Sequence, residues 1–128
     1  MNKINYFYAS APNSLPASVF TGESEPTAAK IELVAGLILD SEPENYEIEV
    51  LTPDFTLFER QPIPKGKIIN LKLDDLIAMQ LNMSITINKA AAYQKYEFTF
   101  KLFKSATEIK NLNTMLYIIG EDDVRKTN

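Results

Sequence analysis

The chain of 128 residues contains no cysteine, no histidine and no tryptophan. Without cysteine there are no disulfide staples, thiolate metal sites or thiol nucleophiles, which agrees with a reducing compartment. The absence of histidine excludes more. Imidazole titrates nearest neutrality and is the commonest metal ligand and general base. Zinc sites, Ser-His-Asp and Cys-His arrangements, haem ligation and iron–sulfur clusters therefore leave the list together. Only carboxylates, lysines, hydroxyls and tyrosines remain for chemistry. The expectation is a protein that is not an enzyme and carries no cofactor and no transition metal.

Long hydrophobic runs are missing too. None approaches the roughly 20 residues that span a bilayer. The first eight residues, Met1 to Tyr8, hold one lysine and then aromatics, too short and too polar for a signal-peptide core. A cytoplasmic protein with no membrane partner is expected. Nucleic acid fits poorly, because phosphate binding needs clustered Lys and Arg. Here the cations are scattered singly among acids.

Apolar residues make up 45% and charged residues 23%, as in an ordinary globular chain. A domain of this size buries roughly two thirds of its unfolded surface. The reading is one domain over residues 1–120, followed by a charged tail, 121–128, with no apolar anchor to hold it.

The strongest pattern runs from Ile77 to Ile87. Ile77, Met79, Leu81, Met83, Ile85 and Ile87 alternate with Ala78, Gln80, Asn82, Ser84 and Thr86. Side chains in a strand point to opposite faces in turn, so this period of two marks a half-buried strand. Tyr96, Phe98, Phe100 and Leu102 repeat the pattern against Lys95, Glu97, Thr99 and Lys101. The short connection between the two runs predicts that they pair as an antiparallel hairpin, with Met83, Ile85, Phe98 and Phe100 in the core.

Further strands are predicted at Ile4 to Ala9, Lys30 to Leu39, Tyr46 to Leu51, Phe55 to Arg60, Ile68 to Leu73 and Thr114 to Ile119. Pro53 and Asp54 suit the middle of a tight turn joining the third and fourth of these. The segment Asp74 to Met79 reads either as a capped helical turn or as the start of the long strand, and the unbroken alternation favours the strand. Residues 104–113 read as a loop with a short helix around Thr107 to Lys110. Seven or eight short strands with no long amphipathic helix predict an all-β antiparallel sandwich.

Candidate sites are few. The connection Ser10 to Thr27, with Pro12, Pro16, Gly22 and Pro26, is long enough to be a recognition loop. Its Leu15, Val19 and Phe20 would equally serve to anchor it as a packed cover. Lys30 to Asp40 is apolar on both faces, with Val34, Gly36 and Ile38 opposite Ile31, Leu33, Ala35, Leu37 and Leu39. The second face needs cover, either from the long loop or the amino-terminal strand, or from a partner or second copy. Val34, Gly36, Ile38, Leu15 and Phe20 are therefore the interface candidates.

Acidic turns at Asp40, Glu42 and Glu44, at Asp74 and Asp75, and at Glu121 to Asp123 hold the oxygen donors calcium prefers, but not the spacing of a calcium loop. Glu47 and Glu49 share a strand face, as a glycosidase pair would, with no other feature of a sugar site. Tyr6, Tyr8 and Tyr93 offer apolar bodies with polar tips for a sugar or peptide. Charge divides unevenly within the net −4: residues 1–64 hold three cations against ten carboxylates, residues 65–128 ten against seven. A two-signed surface of this kind suits head-to-tail self-association or a charged partner.

Leu81-Asn82-Met83-Ser84-Ile85-Thr86-Ile87 followed by Ala92-Tyr93-Gln94-Lys95-Tyr96-Glu97-Phe98 resembles small bacterial and phage β-sandwich domains of unknown function. In those, a long strand leads through a turn and a tyrosine into an alternating strand. Ala90-Ala91-Ala92 stands here where that pattern has a glycine. The resemblance implies a sandwich fold and transfers no activity or site residue.

The expected function is a non-enzymatic binding or assembly module, a homo-oligomer or partner-binding protein. It would act through a sheet edge, the Lys30 to Asp40 face or the Ser10 to Thr27 loop. The alternative is a ligand-binding sandwich for a small molecule, sugar or calcium.

Overall fold

Nine strands form among the residues that the computed structural model describes, which are 1–10, 19–21, 27–90 and 93–119. They are β1 (Lys3–Ser10), β2 (Val19–Thr21), β3 (Thr27–Leu39), β4 (Tyr46–Leu51), β5 (Thr56–Pro62), β6 (Ile68–Leu71), β7 (Leu76–Ala90), β8 (Gln94–Lys104) and β9 (Thr107–Ile119). The one helical element among them is a 3-10 turn at Pro43–Asn45. A four-stranded sheet in the order β1-β3-β7-β6 faces a five-stranded sheet in the order β2-β9-β8-β4-β5. All pairings are antiparallel except β2 with β9. The fold is a β-sandwich.

The alternation seen in the sequence sets the core. Ile31, Leu33, Ala35, Leu37 and Leu39 of β3 lie beside Ile77, Met79, Leu81 and Met83 of β7. Across the gap stand Tyr46, Ile48 and Val50 of β4 with Phe98, Phe100 and Leu102 of β8. The β1 register slips between Ile4 and Tyr6. That bulge places Asn5 as the extra residue, so Ile4, Phe7 and Ala9 all face inward although their spacing breaks strict alternation. Phe7 then meets Phe100 with ring centroids 5.6 Å apart.

The expected hairpin between residues 77–87 and 93–103 does not form. β7 pairs with β3 and β6, while β8 pairs with β9 and β4, so the two runs lie in different sheets. Their side chains still share one core, because a strand with one dry face satisfies it equally from beside or from across the sandwich. Met83, Phe98 and Phe100 are buried as expected, and Ile85 is half-buried against the core.

β8 instead turns directly into β9 through Ser105 and Ala106, both with positive φ (53° and 67°). The loop and short helix expected over 104–113 are replaced by strand. At residues 72–75 the chain makes a turn, with Asp75 at φ 58°, and β7 begins at Leu76, so no helix forms at Asp74. The Thr52 to Phe55 turn is present. Thr52 N–H donates to the Phe55 carbonyl at 2.8 Å, and Thr52 Oγ1 accepts from the Asp54 and Phe55 N–H groups.

Candidate functional site

The two outer faces differ in chemistry. On the five-stranded sheet the outward side chains pair with one another: Arg60 Nε lies 3.0 Å from Glu47 Oε1, Lys101 Nζ 3.3 Å from Glu108, and Thr99 Oγ1 donates to Asn113 at 2.8 Å. Arg60 also stacks 4.3 Å above the Phe103 ring. Glu47 is thus held by a cation. Glu49 faces Lys101 across the β4–β8 pair.

The outer face of the four-stranded sheet is mixed: Ser10, Lys30, Glu32, Ser84 and Thr86 make one part of it polar, and a more apolar patch lies toward β6. The rows of that patch run Tyr8, Val34, Asn82, then Tyr6, Gly36, Gln80, then Lys3, Ile38, Ala78, Ile69. Tyr6 and Tyr8 stack at 5.8 Å, and the Tyr6 hydroxyl donates to Gln80 Oε1 at 2.7 Å. A Cβ on Gly36 would stand 2.2 Å from the Tyr6 ring, so only glycine lets the ring lie on the β3 backbone. Burial raises the Tyr6 pKa, with the neighbouring Tyr8 adding to it. The phenol therefore stays a donor at neutral pH.

Of the interface candidates, Val34 is 3% exposed yet stands outside the main core cluster, and Gly36 lies beneath Tyr6. Ile38 is half-buried. The amino-terminal strand thus supplies part of the cover that the second face of β3 requires. Phe20 pairs in β2 with Ile118 of β9 through the backbone. Leu15 lies outside the described residues, as do most of the Ser10 to Thr27 connection and the 121–128 tail.

What the face leaves open is its far edge. β6 has no partner on its outer side among the described residues. Ile69 is 57% exposed and Ile68 46%, and Leu73 in the following turn is 94% exposed. The other exposed large apolar side chains described include Phe55, Tyr93, Leu112 and Tyr117. A shallow groove of about 240 Å³ runs inward from this edge between Ile69, Ala78, Ile38 and Tyr6. Sequence reasoning placed a strand here, but nothing in its composition marked it as the edge.

At one end of the sandwich a polar cluster ties the sheets together. Asp40 accepts from the amino-terminal ammonium at 2.7 Å and from Lys104 Nζ at 3.1 Å, and the Tyr46 hydroxyl lies 3.0 Å from it. These donors hold its carboxyl well below the usual carboxylate range. A polar cleft of about 340 Å³ beside it is lined by Asp40, Glu42, Lys72 and Asp75. Among the described residues no three carboxylates are grouped so as to hold a metal ion.

Tyr6 and Tyr8 are half-buried, and Tyr93 is 75% exposed. The three do not form one aromatic platform, since Tyr93 lies in the turn just before β8 of the opposite sheet. No helix among the described residues is long and apolar enough to cross a membrane. No protein-family model matches the chain, and no curated protein matches it.

Proposed function

We propose that the protein is a non-enzymatic assembly module that self-associates through the β6 edge and the adjoining outer face of the four-stranded sheet. The observation that carries this reading is the exposure of Ile68 and Ile69 on a strand edge that is unpaired among the described residues, with Leu73 exposed in the turn beyond it. An edge strand presents a row of unpaired backbone donors and acceptors, and proteins normally blunt it with charge. Here Ile68-Ile69-Asn70-Leu71 carries none.

A second copy fits this edge by backbone pairing. In a two-fold antiparallel pairing the start of one β6 meets the end of the other. Lys65 and Lys67 precede the strand, and Asp74 and Asp75 follow it alongside Lys72. With Ile68 opposite Leu71, Lys65 faces Asp74 of the second copy while Lys67 faces Lys72, so one opposite-sign pair and one like-sign pair flank each end of the joint. Full burial of one isoleucine is worth about 1.5–3 kcal/mol. Association itself costs several kcal/mol, so the edge needs its apolar side chains and its backbone pairing together. The lack of cysteine fits a cytoplasmic setting, and the scattered cations do not suit nucleic acid.

The test is molar mass by light scattering over a concentration series. Wild type should move from monomer to dimer, and Ile69→Lys should stay monomeric with an unchanged circular dichroism spectrum. Ile69 is exposed, so this change leaves the fold intact. A wild type that remains monomeric at the highest soluble concentration would overturn the proposal.

A further inference from the structure

Among the described residues an apolar cavity lies toward the end of the sandwich away from Asp40. Residues 85–88 of β7, 94–98 of β8 and the 52–57 turn enclose a cavity of about 440 Å³. Small-molecule sites usually measure roughly 300–1,000 Å³. Six side chains supply its apolar wall: Phe55, Leu57, Ile85, Ile87, Tyr96 and Phe98. Phe98 is fully buried, so one side of the wall is the core itself. Ile85 and Ile87 continue the inward face of β7 beyond Met83, yet both stay half-exposed.

The polar lining is sparse and uncharged. It consists of Thr52, Thr86, Asn88 and Gln94, together with the Tyr96 hydroxyl. Thr52 Oγ1 is committed to its own turn, where it contacts the Phe55 carbonyl and accepts two N–H groups. The Tyr96 hydroxyl donates to Gln94 Oε1 at 2.9 Å. With its proton used, the phenolic oxygen retains acceptor capacity.

We infer that this cavity binds a small neutral molecule with an apolar body and one N–H or O–H donor. Neutrality follows from the lining, since an ion would exchange its hydration for walls that carry no counter-charge. The apolar body follows from the six side chains, against which water finds few hydrogen-bond partners. The donor follows from the acceptor that Tyr96 keeps. The site lies at the opposite end of β7 from the stretch that β6 pairs, so it does not depend on self-association.

N-Phenyl-1-naphthylamine has this chemistry, an uncharged apolar body with one N–H, and it brightens on leaving water. Titrated into the full chain, the probe should saturate at one site per chain. Ile87→Trp, which fills the cavity, should weaken binding about tenfold or more, and Tyr96→Phe by a few fold. Ile69→Lys at the β6 edge should bind as wild type does. Amide shifts in nuclear magnetic resonance spectra of the wild type should concentrate at residues 85–88 and 94–98, a readout that needs no variant to fold. Absent or unsaturable binding, shifts concentrated at β6, or an Ile87→Trp variant that binds unchanged would each overturn the inference.

Discussion

Gly36 and Tyr6 form the unit on which the outer face of the four-stranded sheet depends. Glycine is a poor strand residue, because it gives up the most backbone freedom and packs no side chain. Here the ring of Tyr6 occupies the space that a Cβ would take and bonds onward to Gln80. Gly36→Ala should therefore cost about 1–3 kcal/mol, the usual range for forcing extra atoms into a packed site. The penalty should nearly vanish in a Tyr6→Ala background. Urea midpoints for the wild type, both single variants and the double variant measure that coupling directly. Additive effects would show that Gly36 is set by something other than the ring. The sequence displays β3 as apolar on both faces, but the cover for the second face comes from a residue about thirty positions earlier. Strict alternation in β1 leaves Ile4 and Phe7 on opposite faces, and the bulge at Asn5 that brings both inward has no signature of its own.

Among the elements, most strands were legible, and apart from the β4–β5 hairpin their partners were not. Period-two alternation states which face of a strand is dry, and it is silent on which strand lies alongside. β7 and β8 show this, since each fills the core from its own sheet. The β8–β9 hairpin was hidden for a different reason. Two-residue hairpin turns favour Asn-Gly or Asp-Gly, because both central residues need positive φ. This chain uses Ser105 and Ala106 at 53° and 67°. With no glycine or asparagine to announce a turn, the polar start of β9 read as loop. Left-handed backbone costs a residue with a Cβ about 1–2 kcal/mol, partly offset by the extra freedom glycine has when unfolded. Ala106→Gly should thus stabilise the protein by roughly 0.5–1 kcal/mol, read as a higher urea midpoint. A lower midpoint would mean that the turn's strain is relieved elsewhere. The cavity was illegible on the same grounds as the hairpin. Its walls come from three separate segments, and only the sheet pairing reveals that they meet.

Among the described residues the sandwich is closed at one end by polar contacts and holds an apolar cavity toward the other. The closure joins both sheets: Asn2 and Asp40 flank β1 and β3, while Tyr46 and Lys104 belong to β4 and β8. Tyr46 is buried and its hydroxyl stands 2.6 Å from Asn2 Oδ1 and 3.0 Å from Asp40 Oδ1. Burial raises its pKa, and the hydrogen bond to Asp40 and that carboxylate's charge raise it further. Ionising it would set a second anion beside Asp40. The folded state therefore holds the phenol neutral at pH values where the unfolded chain, with a tyrosine pKa of about 10, has released its proton. Stability from this group is complete below about pH 10 and drains away as pH climbs through the raised folded value. The Lys104 pKa is raised as well, chiefly by its hydrogen bond to Asp40, so its contribution is lost in the same direction. Asp40, held low, loses its contribution only in acid. Tyr46→Phe should lower stability at neutral pH by about 1 kcal/mol, the net value of an ordinary hydrogen bond. It should also flatten the alkaline limb, because phenylalanine has no proton to lose. Urea midpoints followed from about pH 9 to pH 11 bracket the free tyrosine value, and the two curves should converge as pH rises. Parallel curves would mean that the Tyr46 hydroxyl is not what couples the closure to folding, and would leave Lys104 as the alkaline-sensitive member of the cluster.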